Sequence, residues 1–208
     1  MKDAISYAQT EDIFKRIRHL EERSLLILIY LTGARVSEIL GKRGQNFNKE
    51  KLPKLNCITY DAKNQTFIIT ITRSKSKRNK KRSVLISYSE EPYYFEAVLT
   101  WIEARRQQIR AKYKHRPAGD EWTDFEPLFK PQSYKRGVRI FEKHFGFLYH
   151  QNIHMLRHLR TTHLLRNFGY SIFQISKVLG WDNIQIPAST YAHYDLSEIQ
   201  NKKLNRDI

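Results

Sequence analysis

Residues 66–87 read TFIITITRSKSKRNKKRSVLIS. Two short runs rich in β-branched residues, TFIITIT at 66–72 and RSVLIS at 82–87, flank the basic run RSKSKRNKK at 73–81. Runs of that composition suit the pleated surface of a sheet, and a polar turn between two of them predicts an antiparallel hairpin. CITYD at 57–61, followed by a turn with Lys and Asn, adds a third short strand. The expectation is a small three-stranded antiparallel sheet carrying a long basic loop.

The flanking sequence reads as helix. Upstream, Ile13, Ile17 and Leu20 recur at helical spacing in EDIFKRIRHLEE (11–22). Thr10 is the expected N-cap there, and Glu11 and Asp12 suit the positive end of the helix dipole. RSLLILIYLTGA (23–34) predicts a buried helix ending at Gly33, and RVSEILG (35–41) one or two more turns stopped by Gly41. Downstream, Tyr94, Val98, Trp101, Ile102, Arg105 and Ile109 mark one face of a long helix that begins after Ser89. HRPAGDEWTDFEPLFKP (115–131), with its three prolines, reads as a loop. SYKRGVRIFEKHFGFLYH (133–150) reads as a helix broken near Gly146. A helix from about 154 to 168, a turn at Gly169 and the helix SIFQISKVLG (171–180) follow, and Pro187 suits the first turn of a last helix. The fold class expected is mainly α (α+β): a helical domain with a small three-stranded antiparallel sheet. No repeat or linker interrupts it, so residues 1–208 are read as a single domain.

Charge narrows the function. Lys and Arg number 37 against 21 Asp and Glu, a formal net charge of +16 spread along the chain. Self-repulsion on that scale works against folding, and a polyanionic partner, usually nucleic acid, explains it better than solubility does. The one cysteine, Cys57, permits no disulfide within the chain and is expected as a small buried strand residue. The N-terminal residues carry no apolar signal-peptide core, and the longest apolar run, LLILIYL at 25–31, is too short to cross a bilayer. An intracellular, cytoplasmic, DNA-associated protein with no membrane partner is expected.

Residues 154–163 gather His154, Arg157, His158, Arg160 and His163. His154 and Arg157, three apart, share a helical face and can reach one anion. A metal site is not expected, because neither an H-E-x-x-H pair nor a Cys/His cluster accompanies the histidines. His158 and His163 are read as packing or hydrogen-bonding residues.

LTGARVSEIL (31–40), the basic hairpin, HMLRH (154–158), LGW (179–181) and STYAHY (189–194) occur in that order. Together they resemble the signature boxes of the tyrosine recombinases, the family of phage-type integrases. The resemblance implies a catalytic domain that cuts and rejoins DNA through a 3′-phosphotyrosyl intermediate, with no cofactor, metal or ATP. It implies Arg35 and Arg157 as phosphate-clamping arginines, since a planar guanidinium fork matches two phosphate oxygens. It implies Glu38 as a supporting carboxylate, and His154 as a donor to the phosphate or a manager of the tyrosine's proton. Trp181 stands where the family usually has histidine. An indole N–H donates one hydrogen bond and exchanges no proton, so phosphate contact and packing are expected there. Lys75 is the first candidate for general acid to the leaving 5′ oxygen. Lys77 is its rival, and Lys80 and Lys81 stay open. Arg73, Lys77, Lys80 and Lys81 are expected to grip the DNA backbone. Tyr191 is the expected nucleophile because Tyr-x-His follows the family pattern, while the stretch DNIQIPAS, longer than usual, keeps Tyr194 in competition.

Relatives of this kind carry a helical DNA-clamping domain before the first arginine box. The stretch before Arg35 is too short for one, so the expectation is a catalytic domain without a separate N-terminal core-binding domain. Self-association as a dimer or tetramer on DNA is expected. A type IB topoisomerase and a non-catalytic helix-turn-helix binder, using SIFQISKVLGW, are the competing classes. Supercoil relaxation without recombination separates the first. The second gives no reason for Arg35, Arg157 and Tyr191 to occur together.

Overall fold

The computed structural model describes residues 5–41, 52–72, 81–113, 121–130, 134–146, 152–181 and 185. In chain order the helices are α1 (Tyr7–Arg16), α2 (Leu20–Thr32), α3 (Val36–Ile39), α4 (Pro92–Lys112), α5 (Tyr134–Phe145), α6 (Met155–Arg166) and α7 (Ile172–Leu179). Strands β1 (Ile58–Asp61), β2 (Thr66–Thr72) and β3 (Lys81–Ser87) lie between α3 and α4. Among the described residues no helix is long and apolar enough to cross a membrane.

The sheet is antiparallel in the order β1-β2-β3, as the sequence predicted. Its register runs from Thr66 opposite Ser87 to Thr72 opposite Lys81, the last pair before residues 73–80. Because strand side chains alternate between faces, Phe67, Ile69, Ile71, Val84 and Ile86 share the buried face. The other face is polar where Thr70 meets Ser83, their hydroxyls 2.9 Å apart. Arg82 falls on the buried parity and is 6 % exposed.

Three local expectations need correction. Helix α1 begins four residues earlier than predicted, because Ser6 and Gln9 form a capping box. The Ser6 hydroxyl accepts from the Gln9 N–H at 3.1 Å, and the Gln9 side-chain oxygen accepts from the Ser6 N–H at 2.8 Å. Thr10 is therefore inside the helix and buried, its hydroxyl donating to the Ser6 carbonyl at 2.9 Å. EDIFKRIRHLEE is also two helices: the backbone extends at Ile17 (ψ 103°), and α2 restarts at Leu20. Cys57 sits in a 3₁₀ turn, Leu55–Cys57, just before β1. It is half-buried, and burial pushes its thiol up to about 12, so it stays a protonated, unreactive thiol at neutral pH.

Helix α2 is the hub, buried from Ser24 to Thr32, with α4 and α6 packed against it. The proline-bearing stretch after α4 is tied into this core. Arg105 donates to the Pro127 carbonyl through Nε (3.0 Å) and Nη2 (2.9 Å), and Phe129 stacks on Trp101 with ring centroids 4.9 Å apart. A smaller cluster of Leu164, Leu165, Ile175 and Leu179 joins α6 to α7.

Two of the five polar residues gathered at 154–163 face this core. Arg160 is 2 % exposed, and both its Nη atoms donate to the Glu91 carboxylate, Nη2 at 2.8 Å. His163 is equally buried. Its Nε2 lies 3.1 Å from the Ile5 carbonyl, which can only accept, so Nε2 carries the proton and Nδ1 accepts from the Tyr30 hydroxyl at 2.8 Å. That neutral tautomer satisfies both nitrogens. Burial, followed by the charges of Arg160 and Arg166, outweighs the Ile5 contact and lowers the His163 pKa to about 4.

The depressed value has a sign. The unfolded chain takes up a proton near pH 6.5 and the folded chain only near 4, so in that window the unfolded state binds more protons. The stability contributed by neutral His163 is complete above pH 6.5 and is lost as pH falls towards 4, a change of about 3 kcal/mol. His163→Gln, which keeps a donor and an acceptor, is expected to flatten the fall in urea midpoint between pH 7 and pH 5. An equally steep fall in the variant would assign the acid sensitivity to other groups.

Candidate active site

Helix α2 ends at Gly33 in the left-handed region (φ 56°, ψ 24°), where a residue with a Cβ is strained. Space is tight too: a Cβ on Gly33 would lie 3.0 Å from Leu179 Cδ2 and 3.3 Å from Arg157 Cγ, so those side chains would have to give way. That turn delivers Arg35 to the N-cap position of α3. Glu38, in the first turn of α3, reaches back. Its Oε2 accepts from the Arg35 backbone N–H at 3.0 Å, and its Oε1 accepts from Arg35 Nη1 at 3.3 Å.

The Glu38 side chain is fully buried, whereas that of Arg35 is 34 % exposed. From below, Arg82 of β3 donates through Nη2 to Glu38 Oε2 at 3.1 Å, with its own side chain 3 % exposed. Burial alone raises the Glu38 pKa. The Arg35 backbone N–H, then Arg82, then the Arg35 charge outweigh it and hold the carboxyl below its ordinary value. Glu38 is thus an anion held between two arginines, one in the core and one at the surface.

Arg157 lies at the C-terminal ends of two helices. Its Nη1 donates to the Gly33 carbonyl at 2.9 Å and its Nη2 to the Leu179 carbonyl at 3.1 Å. Both carbonyls end helices, α2 and α7, where the dipole favours a cation. The guanidinium carbon also sits 5.1 Å from the Trp181 ring centroid, within range of a cation–π contact. Trp181 is placed by a Schellman turn: Gly180 is left-handed (φ 66°), its N–H donates to the Lys177 carbonyl at 3.3 Å, and the Trp181 N–H donates to that of Ser176 at 2.8 Å. Three stretches far apart in sequence, at Gly33–Arg35, Arg157 and Leu179–Trp181, therefore meet.

His154 precedes α6, exposed, with its backbone N–H held by Asn152 Oδ1 at 2.9 Å. His158 is exposed on the same helix, and Lys81 is exposed at the start of β3. Arg73, Lys75, Lys77, Lys80, Pro187, Tyr191 and Tyr194 lie outside the described residues. The structure adds Arg82, which the sequence reading placed in the third strand without giving it a role. The available signal was its parity: it alternates with Val84 and Ile86, on the face that must be buried. Chemically, Arg35 and Arg157 are two planar cations on fixed supports, each of the type that binds oxyanion oxygens.

Known proteins resemble this chain over most of its length. Tyrosine recombinase XerC of Bacillus pumilus (strain SAFR-032) is 29 % identical over 176 residues, 82 % of this chain and 48 % of its own length. Tyrosine recombinase XerD of Staphylococcus epidermidis (strain ATCC 12228 / FDA PCI 1200) is 26 % identical over 206 residues, 95 % of this chain and 58 % of its own. The chain thus spans about half the length of the curated relatives it matches. The fold is also that of the XerH site-specific recombinase, solved bound to a palindromic difH substrate as a post-cleavage complex. The TM-score is 0.56 at 19 % identity, over 94 % of this chain and 50 % of that one. The model of the phage integrase family matches residues 4–198, nearly the whole sequence, and the chain belongs to that family.

Proposed function

We propose that this chain is the catalytic part of a site-specific DNA recombinase, cutting and rejoining DNA strands without metal or ATP. The observation that carries the reading is the convergence on Arg157, whose guanidinium joins the Gly33 turn to the Leu179–Trp181 turn. A framework that fixes an arginine from three sides, against the turn that leads two residues on to Arg35, suits a phosphodiester gaining charge in its transition state. The net charge of +16 supports DNA as the partner. So do the relatives, named as tyrosine recombinases, and XerH, solved on its difH substrate. Self-association on DNA belongs to the same reading.

In this mechanism the Tyr191 hydroxyl gives up its proton, to His154 or to water, and its oxygen attacks the scissile phosphorus. A 3′-phosphotyrosyl bond forms as the bond to the 5′ oxygen breaks, and that oxygen leaves with a proton from Lys75 or its rival Lys77. Arg35 and Arg157 hold the non-bridging oxygens, His154 and Trp181 donate to the phosphate, and Glu38 orients Arg35. Arg73, Lys77, Lys80 and Lys81 grip the backbone. The bond energy is stored in the covalent link, so rejoining needs no external energy source.

The test is a nicked suicide duplex, selected from screened or genomic DNA, from which the cut strand diffuses away. A detergent-resistant protein–DNA adduct is expected in excess EDTA. Strand cutting that appears only with a divalent metal would place the protein in another class of nuclease.

Arg157→Ala is expected to keep the fold and most of the DNA affinity while slowing single-turnover cleavage by roughly 10²–10³-fold, the scale for losing one transition-state donor. Arg157→Lys should also be poor, because an ammonium cannot span the Gly33 and Leu179 carbonyls and lie flat on Trp181. Near wild-type cleavage by Arg157→Ala would remove the residue from the site.

A further inference from the structure

We propose that Arg82 is a positioning residue for the reaction: from the buried face of the sheet it fixes the Glu38 carboxylate, and through Glu38 it sets the direction of Arg35. The inference rests on the reading of Arg35 as a phosphate clamp.

Glu38 belongs to a helix of four residues, α3, too short to hold its own side chains rigidly. Its carboxylate must nevertheless present one oxygen to the Arg35 N–H and the other to Arg35 Nη1, at 3.0 and 3.3 Å. A rigid third contact supplies the direction. Arg82 comes from a regular ladder, opposite Ile71 and one pair inside the Thr72–Lys81 end of the hairpin. Its guanidinium is nearly inaccessible, so it cannot itself meet DNA, and its contact with Glu38 Oε2 at 3.1 Å spans 44 residues of sequence. The charges explain why an arginine is buried there. Arg35 alone would be partly neutralised by a nearby carboxylate, which weakens its pull on a phosphate. With Arg82 on the other side, the three groups sum to one net positive charge, and the exposed member of the trio is Arg35. An apolar residue at 82 would take that buried counter-charge away from the Glu38 carboxylate.

The experiment uses the full chain in five forms: wild type, Arg82→Met, Arg82→Lys, Glu38→Gln and the double variant Glu38→Gln with Arg82→Met. Single-turnover cleavage of the suicide duplex, DNA affinity and the ¹⁵Nε–Hε signal of Arg35 are read below the melting point of every form. Arg82→Met is expected to slow cleavage by about 10- to 100-fold, as misplaced catalytic groups do, with DNA affinity within about threefold. The Arg35 signal should broaden or shift, and Arg82→Lys should recover part of both. In a Glu38→Gln background, Arg82→Met should cost little more, because the two residues act as one unit. The double variant leaves no unpaired buried charge, so it keeps the comparison available if Arg82→Met alone is too unstable. Cleavage and an Arg35 signal unchanged by Arg82→Met would overturn the proposal, as would an undiminished loss in the Glu38→Gln background. If wild type itself forms no adduct, the recombinase reading fails, and the Arg35 signal still decides whether Arg82 sets its position.

Discussion

Tyr191→Phe is expected to abolish the covalent protein–DNA adduct completely, with DNA binding retained. The substitution removes only the attacking oxygen and leaves the ring to pack, so a folding defect is not expected to confuse the result. A free phenol titrates near 10, too high for a good nucleophile at neutral pH. In the proposed mechanism Arg35 and Arg157 would lower that barrier by favouring the phenolate. The same assay on Tyr194→Phe should give nearly normal adduct. The reverse outcome would move the nucleophile three residues along, and would mean that the stretch DNIQIPAS has shifted the alignment of the last box.

Glu91→Ala is expected to cost about 3–5 kcal/mol of stability, the scale for breaking a buried ion pair. Arg160 and Glu91 are 2 % and 4 % exposed, so the arginine left behind has no water to turn to. Burial pulls the Arg160 pKa down, but the Glu91 charge and hydrogen bonds overcome that and hold it above its ordinary value. The pair also organises its surroundings. Tyr7 donates to Glu91 Oε1 at 3.2 Å, and the rings of Tyr30 and Phe168 lie 5.3 and 5.7 Å from the Arg160 guanidinium carbon. Replacing both members, Glu91→Leu with Arg160→Met, should recover much of the loss, since no lone charge remains. Urea denaturation of the two variants beside wild type measures this. A single variant within about 1 kcal/mol of wild type would show that the pair adds little to the fold. Arg35 and Arg157 lie outside this pair, so the double variant should also retain cleavage once folded.

The arginines at 157 and 160 show where reading the sequence stops. Both lie on α6, one turn apart, and composition gives them equal claims to a phosphate. Arg157 faces the meeting of two helix ends, and Arg160 faces Glu91 in the core. Three residues apart, they are offset by only about 60° around the helix, and nothing local distinguishes them, because these partners lie 124 and 69 residues away in sequence. His163 is alike: its type suggested chemistry or packing, and its place between Tyr30 and Ile5 made it a neutral core group.

What could be read from the residues was local in cause. β-Branched composition placed the three strands, glycines at 33, 41 and 180 marked left-handed helix ends, and apolar spacing found the buried face of α4. Short boxes in a fixed order named the family. Local signals misled where two caps competed, as Thr10 did with Ser6. The folded chain was needed for every contact between distant elements: Arg82 under Glu38, Arg157 across Gly33 and Leu179, Arg160 against Glu91. Helix and strand periods follow from backbone geometry within a few residues. The partner of a buried charge depends on which elements pack together, and that choice is made by the whole core at once.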